Sequence, residues 1–187
     1  MTSAVNRLEP ELRLLDASPR TLELLSGLLV EVVADGGSVG FMHPLAPQDA
    51  LAFWQGALAA TARQERVVLG AWEGEELLGT VSLLLDCPPN QPHRAEIAKM
   101  MTRPAFRGQG IASALLREAE ALAVQRERTM LVLDTASDGG AAGLYERLGF
   151  TLAGEIPGYA LKPHGGLTGT LIYYRRIGAG RTEGAVG

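Results

Sequence analysis

Apolar and polar residues alternate through Glu11-Leu12-Arg13-Leu14-Leu15, a period of two that predicts a short strand. Leu22, Leu25, Leu29 and Val32 then recur at helical spacing; Ser18-Pro19 supplies an N-cap and a first-turn proline, and Asp35-Gly36-Gly37 a stop. The apolar loop Ser38 to Leu45 either lines a pocket or packs. A second helix is predicted over about Pro47 to Arg63, its stripe Leu51, Trp54, Leu58 and Thr61 or Ala62 reading as core. The β-rich runs Val67 to Trp72 and Leu77 to Leu85, joined by Glu73-Gly74-Glu75-Glu76, read as a hairpin. A strand over Arg94 to Thr102 has one face of Ala95, Ile97, Lys99 and Met101 and another of Glu96, Ala98, Met100 and Thr102. Pro104 stops it, and Ile111, Leu115, Ala119 and Leu122 mark a helix to about Gln125. Met130 to Asp134 reads as a buried strand. Ala141, Leu144, Tyr145 and Leu148 form a short helical stripe ended by Gly149, and the last strands are Phe150 to Ala153 and Gly169 to Ile177.

These elements predict one α/β domain over residues 11–177, with an N-terminal extension 1–10 and a Gly/Ala-rich tail 178–187 expected to be mobile. At 187 residues and 47% hydrophobic content, the chain can bury a core without disulfides or metal. A formal charge of −4 argues against a broad basic surface for nucleic acid but leaves room for a local cationic pocket. Cys87 is the single cysteine and reads as structural; His43, His93 and His164 have no metal-ligand spacing, so no metal is expected. Charges at Arg7, Glu9, Glu11 and Arg13 interrupt any signal-peptide core, and no run approaches the roughly 20 apolar residues of a membrane span. A cytoplasmic protein without membrane attachment is the expectation.

The chemistry concentrates at Arg107-Gly108-Gln109-Gly110-Ile111-Ala112, a glycine turn opening a helix. Unsatisfied N–H groups and the positive end of the helix dipole favour an anion there, and a diphosphate would suit it. The turn lacks the GxxxxGK[ST] of a P-loop, and Ser113 stands where a dinucleotide fingerprint has its third glycine. By itself the turn could equally serve chain reversal.

Arg107-x-x-Gly110-x-Ala112 after a proline-stopped strand, with Leu144-Tyr145-Glu146-Arg147-Leu148-Gly149-Phe150 downstream, resembles the two signatures of the GNAT acetyltransferase superfamily. Val39 to Met42, Phe53-Trp54, Asn90 to Glu96, Leu133-Asp134-Thr135 and Ile156 to Ala160 are similar to its tabtoxin-resistance branch, so the likeness spans nearly all of Leu12 to Arg175. The resemblance implies a mixed, mainly antiparallel sheet splayed at the acetyl-CoA site and flanked by helices. It also implies acetyl-CoA as cosubstrate, with the pyrophosphate on Arg107, Gly108, Gln109, Gly110, Ile111 and Ala112 and the pantetheine on the backbone of Met100, Met101 and Thr102. Ala112 is an accepted variant at its position, but Asp138-Gly139-Gly140 replaces an asparagine many members carry.

Acetyl transfer to an amine needs a neutral amine, a donor to the carbonyl oxygen and a stabilised thiolate. Glu96 and Asp134 are candidates to handle the amine's proton, unless Glu96 merely faces solvent and Asp134 caps a turn. The resemblance casts Tyr145, otherwise a core aromatic, as proton donor to the thiolate. Arg103 and Arg107 are candidates to neutralise phosphates, Arg107 being inside the motif. The expected acceptor is a primary amine of a small molecule, the branch implying an amino-acid-like toxin or antibiotic; a peptide acetyltransferase and a non-catalytic acetyl-CoA sensor are the alternatives. The loop near Phe41 and the terminal strand leave a homodimer open.

Overall fold

The computed structural model describes residues 9–178. Seven strands, β1 (Glu11–Leu14), β2 (Arg66–Glu73), β3 (Glu76–Leu84), β4 (Arg94–Thr102), β5 (Met130–Ala136), β6 (Thr151–Leu161) and β7 (Leu167–Arg176), form one sheet in the order β1-β2-β3-β4-β5-β7-β6. Every neighbouring pair is antiparallel except β4 with β5. Helices α1 (Pro19–Ala34) and α2 (Pro47–Ala62) cover one face, and α3 (Ile111–Gln125) and α4 (Ala142–Arg147) the other. This is the mixed, mainly antiparallel α/β architecture expected. The expected tail and most of the N-terminal extension lie outside the described residues. No helix among the described residues is long and apolar enough to cross a membrane.

The two cores follow from period-two patterning. Val67, Leu69 and Ala71 point into the α3 core, while Val68 and Trp72 point under α1 and α2. The Ser18 hydroxyl accepts from the Thr21 N–H at 3.3 Å, Pro19 begins α1, and its fully buried Leu25, Leu28 and Leu29 contribute about 1.5–3 kcal/mol each. In α2 the expected stripe is rotated: Ala50, Trp54, Ala57 and Leu58 are buried, Ala62 is exposed, and Leu51 turns toward a surface groove beside Leu22. Small alanines let the helix approach the sheet closely, so they, rather than Leu51, face inward.

Strands β4 and β6 depart from the simple pattern. In β4, Ser82 pairs with Ala98 and Thr80 with Met101, so two residues, Lys99 and Met100, oppose one. Lys99 takes a left-handed φ of 50° within this bulge. An extra residue inverts the alternation: Met100 packs on the α3 core with Ala95 and Ile97, and Met101 joins the α1–α2 core. The expected faces are therefore wrong beyond Ala98. Strand β6 continues well past Ala153 to Leu161 and contains Pro157, which a paired strand would exclude. It is an edge strand, and a shift between Ile156 and Ala160 leaves Pro157 in an irregularity where its missing N–H costs no ladder bond.

The parallel pairing of β4 with β5 runs only from Arg94↔Met130 to Glu96↔Val132. Beyond it β5 continues against β7, while β4 bends away at the bulge. The edge of β4 from Ile97 to Thr102 that would face β5 has no strand partner among the described residues. That splay opens the middle of the sheet.

Candidate active site

A cleft of about 1090 Å³ occupies the splay. Met100, Met101 and Thr102 line it from β4, the whole turn Arg107 to Ala112 lines it from the head of α3, and Tyr145 lines it from α4. All nine predicted cofactor contacts and one of three predicted catalytic residues thus share a cavity. Glu96 and Asp134 are not among its lining residues.

The turn is shaped by conformation rather than crowding. Gly108 and Gly110 have φ of 77° and 92°, and a Cβ built on either would meet nothing within 4 Å. An L-residue there is strained by its own backbone, which is why glycine is needed. Gly110 is the N-cap of α3 and offers no side chain to the first-turn N–H groups; the first intrahelical bond is Ala114 N–H to the Gly110 carbonyl, at 3.0 Å. No acidic residue sits in that turn. Donors and the positive end of the dipole at this 15-residue helix therefore face the cleft uncompensated.

The two arginines divide. Arg107 reaches across the cleft to Asp35 at the end of α1, Nη1 to Oδ2 at 2.5 Å. Arg103 does not line the cleft: its Nε donates to the Leu77 carbonyl at 2.7 Å and its Nη1 pairs with Glu31. The sequence-based candidacy of Arg103 as a phosphate contact is corrected by this tethering. Arg117 and Arg147 line the cleft instead and take part in no ion pair among the described residues. Arg117 lies one turn beyond Ser113 on α3, a spacing that could have flagged it. The Asp138 carboxylate accepts from Thr168 Oγ1 at 2.7 Å and Lys162 Nζ at 3.1 Å, which holds it below the ordinary aspartate range and braces the cleft wall.

Tyr145 is 5% exposed, its ring 5.9 Å from those of Phe150 and Tyr173. Burial, with the Asp134 charge second, pushes its hydroxyl up to about 12. It is a neutral hydrogen-bond donor throughout the ordinary pH range.

Glu96 stands opposite Val132, and Asp134 lies two residues further along β5, so both carboxylates occupy one sheet face, that of α1 and α2, while Tyr145 approaches from the other. Glu96 Oε2 accepts from Arg94 Nη1 at 3.3 Å, and Asp134 Oδ2 from Thr170 Oγ1 at 3.2 Å. Lys99 shares their surroundings, a residue that periodicity had assigned to the opposite face because a bulge is invisible to it. Its Nζ donates to the Val39 carbonyl at 2.8 Å and lies over the rings of Phe41 and Phe53 at 5.7 and 5.5 Å, tying the apolar loop to β4. That loop, whose role was open, both packs and contributes Val39 to the cleft.

The comparisons agree with this geometry. The profile of the Acetyltransferase (GNAT) family matches residues 35–150. Human N-acetyltransferase 8B is 36% identical over 83 residues, which are 43% of this chain and 37% of that protein, so the chain spans well under half the length of that relative. Among solved structures, a ribosomal-protein-alanine N-acetyltransferase from Brucella melitensis superposes with a TM-score of 0.75 at 20% identity, covering 89% of this chain and 99% of that one. An acetyltransferase from Salmonella typhimurium, determined with its cofactor acetyl-CoA, superposes at 0.74 with 17% identity, covering 94% and 99%. With the family profile matched over more than half its length, and with the splayed sheet and glycine turn in place, the chain belongs to the GNAT acetyltransferase family.

Proposed function

We propose that this protein is an acetyl-CoA-dependent N-acetyltransferase that passes the acetyl group directly to a primary amine of a small molecule. One observation carries the reading: the uncapped N-terminus of α3, the unpaired edge of β4 and the buried Tyr145 hydroxyl converge on a single cleft. These residues fit acetyl-CoA. The turn Arg107 to Ala112 would hold its pyrophosphate, the backbone of Met100 to Thr102 its pantetheine arm, and Arg117 and Arg147 add positive charge. The bound acetyl-CoA of the Salmonella relative supports the assignment by analogy of fold.

Acetyl-CoA supplies an activated thioester; the chain supplies the rest. Glu96 and Asp134 attract a cationic amine and accept its proton directly or through water, since an amine titrating near about 10.4 must lose that proton before attack. The N–H of Met100 or Met101 would donate to the thioester oxygen. Tyr145, which lines the cleft, would face the leaving sulfur. With its hydroxyl pushed up to about 12, Tyr145 is a weaker acid than the departing thiol, so outright proton transfer to the thiolate is uphill. Tyr145 therefore acts chiefly by donating a hydrogen bond, a narrower role than proton donation. The acceptor class implied by the tabtoxin-resistance likeness is an amino-acid-like toxin or antibiotic.

The test is calorimetric titration with acetyl-CoA followed by thiol release with a panel of small amines. Saturable binding and amine-dependent thiol release are expected. Tight binding without turnover on any amine would replace the enzyme with a sensor, and turnover restricted to peptides would replace the acceptor class.

A further inference from the structure

Arg66 and Lys99 are half-buried cations that make no direct contact with a carboxylate among the described residues. Neither belongs to any ion pair among the described residues. Arg66 Nη1 is shielded from solvent and has no hydrogen-bond partner, and Lys99 Nζ uses one of its three N–H donors, on the Val39 carbonyl. The register brings them to the acceptor face. Arg66, Leu84 and Glu96 stand side by side across β2, β3 and β4, and Ser82, diagonal to Arg66, pairs with Ala98 beside Lys99. Burial, then the Arg66 charge, pulls the Lys99 ammonium below the ordinary lysine range, with Asp134 and Glu96 opposing. Burial likewise lowers the Arg66 guanidinium.

Two like charges taken partly out of water beside one another are costly unless an anion joins them. Glu96 and Asp134 offset part of this charge, but neither forms an ion pair with Arg66 or Lys99. Lys99 also sits in a left-handed conformation rare for a side-chain-bearing residue. The same sheet face thus holds two carboxylates able to take an ammonium and two cations able to take an oxyanion.

We propose that Arg66 and Lys99 form an anion subsite of the acceptor pocket that takes a carboxylate carried by the acceptor beside its amine. The inference rests on the acceptor reading above and gives a part in it to two residues that reading does not use. A guanidinium fork and an ammonium point charge suit a planar carboxylate. A dianion would meet repulsion from Glu96 and Asp134, and a protein N-terminus or lysine side chain brings no carboxylate at this position. The subsite therefore selects free zwitterionic amines.

The experiment compares kcat/KM for a panel of α-amino acids with that for their carboxamides, in the wild type and in R66M and K99M, each variant first checked for an unchanged melting profile. The wild type should prefer the acid form by roughly tenfold or more. Each substitution should bring the ratio toward one, the change falling on KM for the acid. A purely structural role would lower both substrates alike and keep the ratio. A wild-type ratio near one, or a preference that survives both substitutions, overturns the proposal. If no amine is acetylated, the enzymatic reading fails, and the subsite is judged separately by calorimetry with N-acetyl amino acids. Binding to the wild type that is lost in both variants upholds the subsite; absent or equal binding removes it.

Discussion

Asp35 holds the one cleft arginine inside the cofactor motif, and replacing it with asparagine measures what that contact does. Its carboxylate lies 2.5 Å from Arg107 Nη1, the two side chains are 43% and 48% exposed, and both line the cleft. A diphosphate drawn to Arg107 must displace Asp35 and also approach its negative charge. Because the pair is half-exposed and screened, its value is that of a surface ion pair, about 0.4–1 kcal/mol. Asp35→Asn should therefore tighten CoA binding about two- to fivefold. The gain should shrink as salt is raised from 0.1 to 1 M, where the screening length falls from about 10 to about 3 Å. Calorimetry with CoA reads the effect, and N-acetylcysteamine, which lacks phosphates, should bind both proteins alike. In an Arg107→Ala background the same substitution should have at most a residual effect. Weaker CoA binding by Asp35→Asn would show the opposite, that Asp35 orients Arg107 for the cofactor rather than competing with it.

Other substitutions separate steric from conformational demands. At Gly79 a Cβ would lie 2.6 Å from the Met101 carbonyl oxygen and 3.3 Å from Ile111 Cγ2, so Gly79→Ala should cost about 1–3 kcal/mol, a fall of about 2–4 °C in Tm per kcal/mol, and weaken CoA binding by shifting β4. Gly110→Ala meets no atom but forces a residue into φ 92°, costing about 1–2 kcal/mol and reducing CoA affinity; an unchanged affinity would show that the turn's shape is unimportant. Tyr145→Phe should lower kcat about a hundredfold with little change in the KM for acetyl-CoA. Since burial raises the Tyr145 hydroxyl to about 12, its neutral form persists through the assay range. Its contribution to stability is full below about pH 10, the unfolded tyrosine value, and lost as pH rises toward 12. An alkaline limb below pH 10 that disappears in Tyr145→Phe would contradict that assignment.

Periodicity and punctuation located nearly every element, because Ser18-Pro19, Pro104, Gly110 and Gly149 mark boundaries by local conformational rules that need no tertiary partner. The turn was legible for the same reason. What escaped depended on long-range register. The bulge at Lys99 exists because Val81 on the neighbouring strand faces two residues, and it reverses the faces that simple alternation assigned to Met100 and Met101. The tethering of Arg103 depends on Glu31, 72 positions away, and the juxtaposition of Arg66 and Lys99 emerges only once three strands are aligned. The β6 extension through Pro157 was hidden because an edge position relaxes a rule that holds for central strands.

Delivery of a cleft-bound acetyl group to a free amine can be observed directly. Incubating the protein with isotopically labelled acetyl-CoA and a mixture of α-amino acids, followed by mass spectrometry of the small-molecule fraction, tests it in one step. Labelled N-acetyl product is expected in the wild type, strongly reduced in Tyr145→Phe. Labelled acetate alone, or label retained on acetyl-CoA with every amine unchanged, would contradict it.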